Sequence, residues 1–283
     1  MHRRLGNTGL VLAAFVAGIA LTFPTDAITR RVLAATPLPD GMRLSFARAR
    51  LRPNGLLLDD VHVTRRDGAA AFDAEWVRLR PSLWGLWHDG GRPWTVAAAT
   101  CQGAVEIGVG LDPTATPVTI TLANVQVATC VPYLTRPFAA HGRVSGTIHA
   151  RFAPRDLTSG EAALDLRDAS WRLGGALEDL EIRADVATMR GRLAERRFEL
   201  ETFEVSGADL RATGRGSVRL VDPPTESVLD VRLSVTPGRT MPLVLRRWFD
   251  AAPGPPPDPT GTRTFRLQGT VANPRLAGVG TLG

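Results

Sequence analysis

Three kinds of residue in this chain could carry chemistry: two cysteines, five histidines and a few adjacent carboxylates. Cysteines can pair as a disulfide, histidines at ligand spacing can hold a metal, and paired carboxylates can exchange protons if one is desolvated. The histidines are His2, His62, His88, His141 and His149. No two have the spacing of ligands on one helix face, and His62 and His149 fall inside strand patterns, where exposed or core-edge roles are expected. The acidic pairs Asp59-Asp60 and Glu178-Asp179 sit at a bulge and at a strand start, where carboxylates cap backbone N–H groups. Tyr133 is the single tyrosine, with no evident partner. There is no G-x-G-x-x-G ahead of a helix, no phosphate-binding loop, no G-x-S-x-G and no H-E-x-x-H. We therefore expect no catalytic, cofactor-binding or metal-binding residues, and no enzymatic activity.

Cys101 and Cys130 remain. An even pair in an oxidising compartment points to a disulfide, the alternative being two buried free thiols. They end two strand-like runs, WTVAAATC and VTITLANVQVATC. Pairing those runs about a turn near Asp112 to Thr116 sets Cys101 opposite a residue near Val127, so a bridge requires a bulge or a change of sheet. Such a bridge contributes ~3–4 kcal/mol through loop entropy.

The elements that must position these residues are short alternating strands punctuated by Gly, Pro, Asp and Asn. Strands are expected over 43–51, 56–65, 72–79, the two cysteine runs, 142–151, 160–171, 177–188, 189–193, 197–205, 209–220, 227–235 and 264–271. In the second of these, Leu58, Val61 and Val63 share a face only if a bulge intervenes. Residues 81–87 read as a short helical turn. With short connections throughout, the chain should form one long antiparallel β-meander with one apolar face, curled into a groove or open barrel. Met241 to Phe249 (MPLVLRRWF) breaks the pattern as a helix. It could touch a membrane or partner through Leu243, Leu245, Trp248 and Phe249, or plug one end of the sheet; the plug is the preferred reading.

Hydrophobic residues make up 44% of the chain and aromatics only 6%, so its core is one of Val, Leu and Ala. The net charge is +6, and every one of the 34 basic residues is Arg. These arginines are spread along strands and interleaved with Asp and Glu, not clustered on one face, which argues against nucleic acid as a partner.

The first 35 residues differ from the rest. A basic start (Arg3, Arg4) precedes an apolar run carrying Leu10, Val11, Leu12, Phe15, Val16, Ile19, Leu21 and Phe23, ended by Pro24. It fits either a signal peptide with a weak cleavage site or a membrane-spanning helix of about 20 residues, and the uncleaved anchor is preferred. A short juxtamembrane helix over 26–35 follows. The expected organisation is an anchor over 1–35 and a β-domain over 36–283, with the β-domain outside the cytoplasm.

The layout resembles the type II secretion system protein N (GspN) family of Gram-negative bacteria. The resemblance rests on the anchor ending Leu21-Thr22-Phe23-Pro24, the Asn54-Gly55-Leu56-Leu57-Leu58-Asp59-Asp60-Val61 turn and strand, and the Leu79-Arg80-Pro81-Ser82-Leu83-Trp84 segment. It also rests on Gly142-x-x-x-Gly146 and the ending Gly269-Thr270-Val271-Ala272-Asn273-Pro274-Arg275-Leu276. Envelope proteins of the AsmA and TamB type have similar endings. The resemblance implies a single-pass inner-membrane protein with its bulk in the periplasm, acting in type II protein secretion by contacts with other secretion-system subunits. It carries over no catalytic residue. The alternative is an AsmA- or LptC-like groove protein that handles phospholipid.

Overall fold

The computed structural model describes residues 42–52, 54–64, 70–81, 94–110, 114–130, 139–153, 156–172, 181–222, 226–252 and 256–278, and the isolated positions 31, 66 and 112. The expected anchor residues, Leu10 to Phe23, and the 82–87 turn lie outside them. No helix among the described residues is long and apolar enough to cross a membrane. The chain divides into two compact units, Met1–Pro81 and Ser82–Gly283, a boundary inside the β-domain expected over 36–283.

In the first unit, β1 (Arg43–Arg52), β2 (Gly55–Thr64) and β3 (Ala70–Pro81) form an antiparallel meander. The sequence leads one to expect a bulge here, but the register of β1 on β2 does not shift. Phe46 pairs with Val61 and Arg48 with Asp59, so one residue of each strand, Ala47 and Asp60, lies between them and the register is unchanged. Asp60 takes a left-handed φ of 55°, a conformation that Asp and Asn tolerate better than most residues. Phe46 lies across from Val61, Val61 across from Ala74, and Ala49 across from Leu58, and all five are buried. Arg48, which strict alternation would place beside Phe46, is exposed, while Ala49 is buried.

The second unit is an eleven-stranded antiparallel meander. Its strands are β4 (Trp94–Thr100), β5 (Gly103–Val109), β6 (Thr116–Gln126), β7 (Ala139–Ala153), β8 (Asp156–Arg172), β9 (Glu181–Ala194), β10 (Arg197–Ser206), β11 (Leu210–Arg219), β12 (Val228–Pro237), β13 (Arg263–Thr270) and β14 (Pro274–Gly278). From β4 onward each pairs with the next in sequence. A single helical turn, α1 (Val127–Cys130), follows β6, and a nine-residue helix, α2 (Leu243–Ala251), lies between β12 and β13.

Four sequence expectations are corrected here. The run ending at Cys101 does not pair with the run ending at Cys130: β4 turns back at Cys101-Gln102 and pairs with β5, which pairs with β6. Both turn residues have positive φ (51° and 57°), the geometry of a two-residue primed turn, whose right-handed twist matches the flanking strands. Val127–Cys130 is a helical turn instead of the end of a strand. The expected break between 188 and 189 is absent: 181–193 lie in one strand, β9, because no turn separates Thr188 from Met189. Finally, β14 follows β13 through a tight turn in which Asn273 N–H donates to the Thr270 carbonyl at 3.0 Å.

Gly146 has a steric role in the β7–β8 pairing. It has φ +149°, and a Cβ there would lie 2.1 Å from the Ala163 carbonyl oxygen on β8.

Candidate functional site

Cross-strand pairing places residues on common rows, and three rows run across all eleven strands without a polar side chain. The middle row is Val96, Ile107, Ile120, Ile148, Ala162, Gly191, Leu200, Gly216, Val231, Leu267 and Leu276. On one side runs Ala98–Val105–Leu122–Gly146–Leu164–Met189–Phe203–Gly214–Leu233–Phe265–Gly278. On the other runs Trp94–Val109–Val118–Ala150–Gly160–Leu193–Phe198–Val218–Leu229–Gly269–Pro274. Period-2 alternation puts these on one face. Bulges keep them there where the sequence spacing changes: Leu200 and Phe203 are three apart, and the register steps between them at Glu201.

Most large side chains of this face are half-buried, and Trp94 remains 44% exposed. Among the described residues the largest side chains under 2% exposed are Val61, in the first unit, and Ser227. Much of the fully buried interior of the second unit is alanine: Ala169, Ala184, Ala187 and Ala212 cluster with Val205 beside Leu166, Phe203, Leu210 and Val235. The sheet therefore presents its large apolar side chains to space that its own core does not fill.

One end of the face is covered. A fourth row, ending Ala187–Val205–Ala212–Val235–Arg263, runs under α2. The helix buries Leu245 and Phe249, and Phe249 meets Phe265 edge-on at 5.8 Å. Arg263, itself 9% exposed, caps the helix. Its guanidinium donates to the carbonyls of Phe249, Asp250 (3.3 Å) and Ala252 (3.0 Å), which no intrahelical N–H can reach. The plug expectation thus holds for Leu245 and Phe249. As partner or membrane contacts those two are corrected, because they face inward; Leu243 and Trp248 are exposed, and so is Val244.

The opposite face is polar. Arg192 reaches Glu161 (3.3 Å) and Glu201 (3.9 Å). A depression of about 410 Å³ is lined by Arg197, Arg215, Arg232 and Arg266 together with Glu199, Glu201 and Asp230. Arg266 grips Asp230 with two hydrogen bonds of 2.7 and 2.9 Å, which holds that carboxyl below the usual carboxylate range.

Of the residues singled out by chemistry, Cys101 is disulfide-bonded, and Cys130 is the chain's one other cysteine. His62 lies between two carboxylates, with Nδ1 2.6 Å from Asp73 and Nε2 3.1 Å from Asp60. The hydrogen bond to Asp73, aided by Asp60, raises its pKa. His149 meets Thr119 at 3.1 Å. No set of three or more His, Cys, Asp or Glu among the described residues could hold a metal ion.

No protein-family model matches the chain, and neither does any curated protein or solved structure.

Proposed function

We propose that this chain is a lipid-handling protein of the cell envelope whose eleven-stranded sheet curls over its apolar face to shelter acyl chains. The observation that carries the reading is the three rows in which every residue from β4 to β14 is apolar or glycine, while most of their large side chains stay half-buried. An apolar patch of this extent marks a binding surface. It offers no hydrogen-bonding side chain, so it suits a ligand with no polar group to satisfy along its length. Each row crosses ten inter-strand spacings, roughly 48 Å at ~4.8 Å each. The chains of one lipid leaflet span about half of a ~30 Å hydrocarbon core, so a row is long enough for several.

In this reading the apolar N-terminal segment holds the protein in the inner membrane and the sheet stands in the periplasm. The secretion-subunit reading would work by strand addition to a sheet edge. It has less support, because β14 is short and opens with Pro274-Arg275, and β1 carries Arg43, Arg48, Arg50 and Arg52; such edges oppose pairing.

The test is lipid extraction and mass spectrometry of the purified full chain, compared with Ile148→Asp in the middle row and Thr147→Asp on the opposite face. We expect phospholipid in fixed proportion to protein in the wild type and in Thr147→Asp, and its loss in Ile148→Asp. Equal lipid in all three proteins, or none in the wild type, refutes the reading.

A further inference from the structure

The outer side of α2 is the most exposed apolar cluster on any described element. Leu243 is 72% exposed, Val244 58% and Trp248 43%. The 3.6-residue period puts Leu243, Val244, Arg247 and Trp248 on one arc, opposite the buried Leu245 and Phe249. Charge around this arc is one-sided: Arg239, Arg246 and Arg247 are exposed, against the single carboxylate of Asp250.

We propose that this arc docks on an anionic phospholipid surface. A Trp beside aliphatic residues suits the interfacial layer of a bilayer, where an apolar ring body and a polar N–H are both satisfied. Arginines on the same arc and its flank add electrostatic attraction to anionic headgroups. The inner side keeps the helix in place, since Phe249 and Ala252 pack with Val235 and Phe265 and the Arg263 cap ties it to β13. The exposed side is therefore presented rigidly and loses little conformational freedom on docking. The inference does not rest on acyl chains occupying the sheet: one concerns the outside of α2, the other the three apolar rows.

The experiment reconstitutes the full chain into lipid nanodiscs with brominated acyl chains, either phosphatidylglycerol or phosphatidylcholine. The difference in emission between wild type and Trp248→Phe reports Trp248 alone. The expected result is blue-shifted, bromine-quenched Trp248 emission in phosphatidylglycerol, unquenched emission in phosphatidylcholine, and loss of quenching in Arg246→Glu/Arg247→Glu and in Leu243→Asp. Unquenched Trp248 in phosphatidylglycerol, or equal quenching in both lipids, overturns the proposal. Either result leaves the mass-spectrometric test of the sheet untouched.

Discussion

The two ends of the apolar face carry similar residues and are secured by different means. At β12 and β13 the face lies under α2: Phe265 is 5% exposed and Phe249 4%. At β4 to β7 only the single turn α1 packs, beside β6 and β7, and Trp94 (44%) and Phe152 (42%) stay accessible. What secures that end is covalent, the disulfide at Cys101. Gln126 N–H also donates to the Cys101 carbonyl at 2.9 Å, tying the end of β6 to the β4–β5 turn. One end is thus held by packing against a helix, while the other is held by a bond that covers no apolar surface. A staple without a lid stabilises the sheet and leaves its face open.

This contrast predicts unequal costs for equal truncations. Phe249→Ala opens a cavity between α2 and Phe265 and should cost about 3–5 kcal/mol. Ile120→Ala, on a half-buried position of the middle row, should cost about 1 kcal/mol, because there is less burial to lose and no enclosed void to create. Urea unfolding midpoints of the full chain would measure both. Equal costs would mean that the open end is as tightly covered as the helix end.

Reducing the Cys101 disulfide should cost about 3 kcal/mol. The loss should be seen first at the open end, as faster amide hydrogen exchange in β4 and β5 with β12 and β13 unchanged. Uniform exchange across the sheet would show that the bond is not local to that end.

The strands were legible because alternation with short turns survives in the sequence, and the break in alternation between Leu58 and Val61 was legible, though it comes from a left-handed Asp60 in constant register rather than from a bulge. The three unbroken rows were not legible. Each bulge reverses which residues face which way, so the face of Phe203 depends on the step at Glu201 and that of Val125 on the step around Asn124. Those steps are set by pairing with distant strands. The β4–β5 turn escaped detection because its left-handed residues are Cys and Gln, where a two-residue hairpin normally signals itself with Asn-Gly or Asp-Gly. The helix at 243–251 was legible, but its inward side was not, because Arg263, twelve residues beyond its end, decides which carbonyls are capped.

Arg263 offers a sharper test of the lid. Arg263→Met keeps much of the side-chain volume but leaves the carbonyls of Phe249 and Ala252 without their donor. This should cost about 1–3 kcal/mol and expose Phe249. Limited proteolysis should then cut within 243–252 before any other described segment. An unchanged cutting pattern would mean that Leu245 and Phe249 alone hold the helix.

The smallest expected effect serves as a control on the comparison. None of the three apolar rows carries a titratable side chain, so neither end of the face can respond to pH through its own residues. The first unit can. Its His62 has a raised pKa in the folded state, owing first to the hydrogen bond that its Nδ1–H donates to Asp73. A group with a raised folded pKa contributes stability that is fully present below its unfolded value, ordinarily about 6.5, and is lost as pH rises through the folded value. Stability of the β2–β3 pairing should therefore fall as pH rises from about 6.5 upward, by a small amount because the imidazole is exposed. Hydrogen exchange at matched intrinsic rates would show the loss in β2 and β3, and His62→Gln would abolish it. A pH response of the same size in β12 and β13, surviving His62→Gln, would mean that another group supplies it and that the helix-covered end is itself pH-sensitive.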